Sequence, residues 1–363
     1  MTMKKLIFPI IAISLVFSVK AQEKTETIKR IFEKAGTEGF SGVLLLAEQG
    51  GAFFEEAVGY RNFENEVELL TTDIFEMASV SKQFTAMMVM MCQEKGMLQF
   101  DDPMDKYLDV PYSGISIRHL FTHTSGLPDY QEVMDEHWDK SKVAGNEDIL
   151  EYLREYNPPM LFQPGERYEY SNTAYVFLAS IVEKVTGEDF IDLSKKWIFE
   201  PLEMYDTGIR TLEEKAETSN FAAGHLKDED RNYVNANKFH DSDYTVWLGN
   251  RKGPGRVSST AQDLLKWDQA LYTEQLVSKK TLDEAFSPMK LNDGSESNYG
   301  FGWDISDDDQ VGKIVSHDGD NPGYKTKIIR LIDQQKTLIL LNNNAHPYKD
   351  QLIEEALEVL KKW

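Results

Sequence analysis

Cysteine is almost absent from this sequence: Cys92 is the only one in 363 residues. No internal disulfide can form, whatever the redox state of the compartment. Cys92 follows Val89, Met90 and Met91, which marks it as a small buried hydrophobe and leaves cysteine catalysis without support. Basic charge is also in short supply. Lysine and arginine number 39 against 61 acids, for a formal net charge of −22. Nucleic acid and anionic membranes repel such a chain, so neither is an expected partner. No apolar run reaches the roughly 20 residues that a membrane-spanning helix needs. Gly-x-Ser-x-Gly, the strand-to-helix elbow of the α/β-hydrolases, does not occur. His119 and His123 stand four apart, but Leu120 occupies the place of the glutamate in a zinc-protease helix, so no metal site is expected. Internal repeats and low-complexity tracts are lacking as well.

What is present is enough for a packed core, with 41% hydrophobic and 11% aromatic residues in a chain sized for one large domain or two smaller ones. The first 21 residues read as a secretory signal. Lys4 and Lys5 form its basic start, residues 6–19 its apolar stretch, and Val19-Lys20-Ala21 its cleavage site. Removing this segment, with its three lysines and no acid, leaves a mature charge of −25. No cysteine near the cut offers a lipid anchor. The expected address is therefore secreted or periplasmic, without stable membrane insertion.

Hydropathy patterning then sets the elements. A helix is predicted over 27–34, followed by two strands within 41–60 that turn at Gln49-Gly50-Gly51. Residues 79–95 run without glycine or proline and stop at Gly96, as a largely buried helix would. From about 101 to 254 helical stretches (147–156, 174–185, 190–197) alternate with Pro/Gly loops. Thr260 with Asp263 signals another helix start. SNYGFGWDI, GKIVSH, KTKIIRLI and TLILLNNN then read as strands, and 349–362 as a closing helix. The expectation is an α/β (α+β) fold in which an antiparallel sheet, built from about 22–100 and 255–363, is flanked by helices and carries a mainly helical insertion. Within it, 22–345 form the main domain and 346–363 a helix packed on the sheet.

Three short patterns bear on chemistry. Ser-x-x-Lys occurs twice, at Ser79/Lys82 and Ser287/Lys290. Pro288 follows the second serine directly, whereas Ser79 opens the buried helix, whose pitch brings Lys82 onto the same face. A lysine held in an apolar site loses basicity and can deprotonate a neighbouring hydroxyl. A helix-capping serine with a solvated lysine would leave the same pattern. Of three Tyr-x-Asn triplets, only Tyr170-Ser171-Asn172 follows a Pro-Gly turn and enters a helix. There Tyr170 can exchange protons as a phenolate, and Asn172 offers a donor and an acceptor to an amide; a core tyrosine and a capping asparagine are the plainer reading. His317-Asp318-Gly319 ends a strand, where Gly319 admits close approach of a substrate and His317 can donate or shuttle a proton.

In this order, Ser-x-x-Lys, Tyr-x-Asn and His-x-Gly, with gaps of 91 and 147 residues, the chain resembles the serine β-lactamase and penicillin-binding superfamily. It is most similar to the branch of class C β-lactamases, D-alanyl-D-alanine carboxypeptidases and β-lactamase-like esterases. HLFTHTSGLPDY, PGERYEYSNTAY, GPGRVSSTAQDL and HDGDNPGY strengthen the resemblance, which spans about 38–345. It implies that Ser79 attacks a carbonyl to form an acyl-enzyme while Lys82 and Tyr170 move its proton. Asn172 would hold the substrate amide, and the backbone N–H groups of Ser79 and Asp320 would form the oxyanion hole. Water would release the acyl group, with Tyr170 as its activator and no cofactor. The third motif departs from the lactamase pattern: His317 and Asp318 stand where a lysine and a hydroxyl residue would bind a carboxylate. Small esters, neutral amides or amino-bearing D-peptides are therefore the expected substrates ahead of β-lactams. A β-lactamase, a D,D-carboxypeptidase and a non-hydrolytic penicillin-binding sensor or binding protein are the alternatives.

Overall fold

GVLLLAE, at 42–48, has no polar side chain before its last position, and such a run suits a strand covered on both faces. In the computed structural model, which describes residues 8–362 and side chains from Gln22 onward, it is an inner strand, next to one edge, of a six-stranded antiparallel sheet. The strands are β1 (Gly42–Glu48), β2 (Gly51–Val58), β3 (Asp304–Asp308), β4 (Gly312–Asn321), β5 (Tyr324–Leu331) and β6 (Lys336–Asn342). Their order is β3-β4-β5-β6-β1-β2, so the two ends of the chain meet at the β6–β1 pair. Gln49 and Gly50 both have positive φ, 51° and 78°, and close the β1–β2 hairpin as a two-residue turn of the twist-matched kind.

Alternation along the strands divides the core. Leu44 and Leu46 join Leu338, Leu340, Ile28 and Phe32 under α1 (Phe8–Thr37) and the C-terminal helix Lys349–Lys362. That last helix places Leu352, Ala356, Val359 and Leu360 on one stripe, which packs into this layer. Val43, Leu45, Ile339 and Leu341 face the opposite layer, built on α2 (Lys82–Glu94) and the helix Ala261–Ala270. The first seven residues of the predicted signal segment lie outside the described residues. No described helix is long and apolar enough to cross a membrane.

Between residues 101 and 254 the chain is largely helix and loop: α3 (Ile117–Phe121), α4 (Tyr130–His137), α5 (Asn146–Tyr156) and α6 (Asn172–Thr186) lead it. One expected strand is displaced. SNYGFGWDI begins in the short strand Glu296–Ser297 and joins the six-stranded sheet only from Asp304, because Gly302 takes φ 83° and the intervening loop turns Tyr299, Phe301 and Trp303 into the core.

β5 is bolted to the helix Ala261–Ala270 by a fully buried ion pair. Arg330 Nε donates to Asp268 Oδ1 at 2.5 Å and Nη2 to the Asp268 carbonyl at 3.1 Å. Tyr272, Phe286 and Trp303 sheathe the guanidinium, with ring centroids 4.6–5.6 Å away. Removing one partner leaves a buried charge stranded, so Arg330→Ala is expected to lower unfolding free energy by about 3–5 kcal/mol. Urea denaturation measures it, and the double change Arg330→Met/Asp268→Leu should recover most of the loss.

Candidate active site

The two-residue strand Phe75–Glu76 pairs with Val257–Ser259 and then turns sharply at Ala78, whose φ is +47°. A 3-10 turn, Ala78–Ser81, follows and runs into α2. Ser79 thus stands in the turn before the helix rather than on it. Side chains three apart eclipse in a 3-10 turn, which sets Lys82 directly beside Ser79. Ser81 Oγ accepts the Val257 N–H at 3.0 Å, and Thr85 Oγ1 donates to the Gly253 carbonyl at 2.7 Å. These contacts stitch the GPGRVSS segment to the start of α2.

Lys82 is wholly buried. Its Nζ lies 3.1 Å from Ser79 Oγ, 2.9 Å from Asn172 Oδ1 and 2.8 Å from the Pro254 carbonyl. Burial, with Arg251 nearby, holds its pKa well below the ordinary lysine value. A neutral amine has two N–H donors and one lone pair. The two amide oxygens can only accept, so they take both donors, and the lone pair is left for the Ser79 hydroxyl.

Asn172 reaches Lys82 because Ser171 caps α6, its Oγ accepting the Ala174 N–H at 3.2 Å. Tyr170 precedes the cap, 41% exposed, with its ring 4.7 Å from Lys82 Nζ. Burial of the phenol end pushes its pKa well above the ordinary tyrosine value, and a hydrogen bond with Ser79 opposes that only in part. Tyr170 is therefore a phenol at neutral pH.

His317 has a different character from its neighbours. It is buried, Nδ1–H donates to the Asp318 carbonyl at 2.6 Å, and Nε2 accepts from the Tyr299 hydroxyl at 2.8 Å. Burial first, then Lys82, push its pKa down to about 3, so it is a neutral wall with both nitrogens engaged. Gly319 lies against the turn that carries Ser79: a Cβ there would meet the Met77 carbonyl at 2.2 Å. Asp318 and Asp320 are exposed and pair with Lys327 and Lys325 on β5, so the acidity of this motif is answered by adjacent lysines. Asp320 lines the same narrow space as Ser79 and Asn172.

Asp304, at the start of β3, also belongs to this surround. Burial raises its pKa to about 6 against the pull of Lys327. A carboxyl with a raised folded pKa favours the folded state below its unfolded value near 3.8 and loses that contribution as pH rises through about 6. Asp304→Asn is therefore expected to raise Tm at pH 7.5, by no more than about 3 kcal/mol of stability, and to give no gain at pH 4. Paired thermal melts at the two pH values measure this.

Three contributors were not visible as such in the sequence: His123, Arg251 and Arg256. His123 Nδ1 accepts the Ser171 N–H at 3.0 Å while its carbonyl accepts the Glu169 N–H at 2.8 Å, so it clamps the chain on both sides of Tyr170. His119, four residues earlier, caps α3 by accepting the Ser116 N–H. Arg251 and Arg256 line the same narrow space as Ser79. The hydropathy pattern gives no signal for contacts that span tens of residues.

The chain is similar to known proteins in sequence and in fold. The Beta-lactamase family model matches residues 28–361. Penicillin-binding protein 4* of Bacillus subtilis (strain 168) is 39% identical over 345 residues, 93% of this chain and 76% of that protein. The chain belongs to the Beta-lactamase family. Among solved structures, a penicillin-binding protein from Bacillus halodurans superposes with TM-score 0.79 at 25% identity, covering 92% of this chain and 98% of that one. D-amino acid amidase from Ochrobactrum anthropi SV3 shares the fold, with TM-score 0.77 at 23% identity over 94% and 99%. In this chain Lys82 Nζ lies within hydrogen-bond reach of both Ser79 and Asn172, with the Tyr170 ring beside it.

Proposed function

We propose that this protein is an exported serine hydrolase that forms an acyl-enzyme on Ser79 from ester or amide substrates, D-peptides among them. The observation that carries the reading is the divergence of two neighbouring groups. Burial holds the Lys82 pKa well below the ordinary lysine value and the Tyr170 pKa well above the ordinary tyrosine value, both beside Ser79. Groups whose pKa values are pushed apart in this way divide the labour of base and acid. Lys82 takes the Ser79 proton as Oγ attacks the carbonyl carbon. Tyr170 passes a proton to the departing alcohol or amine and is reprotonated through Lys82, so no net charge accumulates. The backbone N–H groups of Ser79 and Asp320 receive the oxyanion, and Asn172 orients the substrate amide. A water molecule then attacks the acyl carbon, activated by the Tyr170–Lys82 pair, and restores Ser79. His317 serves as a wall of the cleft.

Covalent trapping tests this. A serine-reactive fluorophosphonate should label the protein, and the adduct should map to Ser79 by peptide mass spectrometry. Labelling should drop by about 10²-fold or more in Lys82→Ala. Adducts elsewhere, or none on the folded protein, would sink the reading.

A further inference from the structure

A cavity of about 450 Å³ adjoins the space around Ser79, and Arg251, Arg256 and Asn321 form the wall common to both. Its charge is the reverse of the chain's. In a protein of net charge −22, the lining holds Arg61, Lys215, Arg251 and Arg256 against a single carboxylate, Glu76. Two of these cations are already answered. Arg61 pairs with Asp73 at 2.8 Å, and Lys215 pairs with Glu76, whose other oxygen accepts from Asn321 Nδ2 at 2.6 Å.

Arg251 and Arg256 are not answered: neither has an ion-pair partner among the described residues. Arg251 donates from Nη1 to the Tyr130 hydroxyl, and its Nε is buried with no hydrogen-bond partner. Arg256, 6% exposed, spends Nη2 on the Arg210 carbonyl at 2.7 Å. Its backbone sits at φ +79°, a region that costs energy for any residue but glycine. A half-buried guanidinium and a buried one thus line the same wall, with one carboxylate that a lysine already shares. Burying charge in this way is unfavourable until an anion arrives.

We propose that this cavity is a substrate-anion subsite, in which Arg251 and Arg256 hold a carboxylate of the molecule whose carbonyl is attacked by Ser79. The inference rests on the reading of Ser79 as nucleophile and deepens it. Guanidinium forks match the planar carboxylate. Glu76 in the same wall favours that monoanion over a phosphate dianion. The cavity is large enough for a chain of several atoms between carbonyl and carboxylate. The sequence directs attention to His317-Asp318 for carboxylate recognition and finds no cation there. The structure places two cations in the wall of the space that Ser79 lines, where an ester or amide that also carries a carboxylate would be held.

The test uses two matched ester pairs. Mono-4-nitrophenyl adipate and its methyl ester carry the contrast on the acyl side; 3-acetoxybenzoate and its methyl ester carry it on the leaving group. In at least one pair the free acid should be preferred by about tenfold or more in kcat/KM, chiefly through KM. That preference should vanish in Arg251→Met and Arg256→Met and survive in part in Arg256→Lys, which also guards against misfolding of the methionine variants. Equal rates for acid and methyl ester in both pairs, in the unaltered protein, overturn the proposal whatever the variants do. A preference that persists in both methionine variants overturns it too. Calorimetry with adipate, which needs no chemistry at Ser79, separates the two readings. Adipate binding that Arg256→Met abolishes supports the subsite even if no ester is hydrolysed. No adipate binding, with esters hydrolysed without preference, removes the subsite and leaves the hydrolase.

Discussion

Lys82→Ala is expected to lower kcat/KM for any ester substrate on the order of 10³-fold or more, with the fold intact. The alanine removes the amine that the proposed mechanism uses to receive the Ser79 proton and also frees Asn172 Oδ1 and the Pro254 carbonyl from their donor. Lys82→Arg distinguishes these losses. A guanidinium can still donate to both oxygens but stays protonated at any accessible pH, so it restores contacts without restoring a base. Its activity should resemble that of the alanine variant. Activity within about tenfold of the parent would mean that Lys82 is a scaffold and not the base.

The same lysine gives a pH signature with a fixed sign. Acylation needs neutral Lys82, so kcat/KM should rise with pH to a plateau that begins well below the range of an ordinary lysine. Stability follows the same proton. In the unfolded chain Lys82 stays protonated up to about its model value of 10.5, while the folded state gives the proton up earlier. The unfolded state therefore binds more protons in that window, and stability rises with pH through it. Lys82→Met should be more stable than the parent at neutral pH and lose that margin as pH approaches 10.5. A variant that is firmer and inactive is the trade expected where a charge is buried for function.

How much of this was legible beforehand depends on the range of the contact. The β1–β2 turn is written in Gln49-Gly50, and the end of α2 in Gly96, because each is a local backbone requirement. The strands β1 and β6 are continuous apolar runs because both of their faces are covered. The order of Ser79, Tyr170 and His317 is visible because three motifs have to appear in sequence. Nothing in EMASVSK announces that Ala78 takes a left-handed conformation and lifts Ser79 out of the helix. That twist is imposed by Val257, paired across 180 positions of sequence, whose carbonyl accepts the Met77 N–H at 2.8 Å. The His123 clamp and the Arg251–Arg256 wall are of the same kind: ordinary residues in loops, given a role only by what folds against them.

Gly319→Ala should produce the second large effect, and by geometry alone. Gly319 does not occupy the left-handed region, so alanine has no conformational objection to the site. Space is the objection. The new Cβ would stand 2.0 Å from Thr326 Oγ1 and 2.2 Å from the Met77 carbonyl. Thr326 can rotate, at the loss of its 3.0 Å hydrogen bond to that carbonyl, but Met77 is backbone and leads two residues later to Ser79. Relief therefore has to come from β4 moving away from the nucleophile turn, which carries the Asp320 N–H out of line with the proposed oxyanion. Misplacing one such donor costs about 10²–10³ in kcat, while overpacking of this size costs about 1–3 kcal/mol in stability. The expected variant is folded, melts a few degrees lower, and is slow in kcat with KM little changed. Adding Thr326→Ala removes one clash and leaves the other, so it should recover stability more than rate. If instead Gly319→Ala keeps kcat within about threefold, the oxyanion is held elsewhere, since no placement of β4 against Met77 accommodates both the methyl group and an aligned Asp320 N–H.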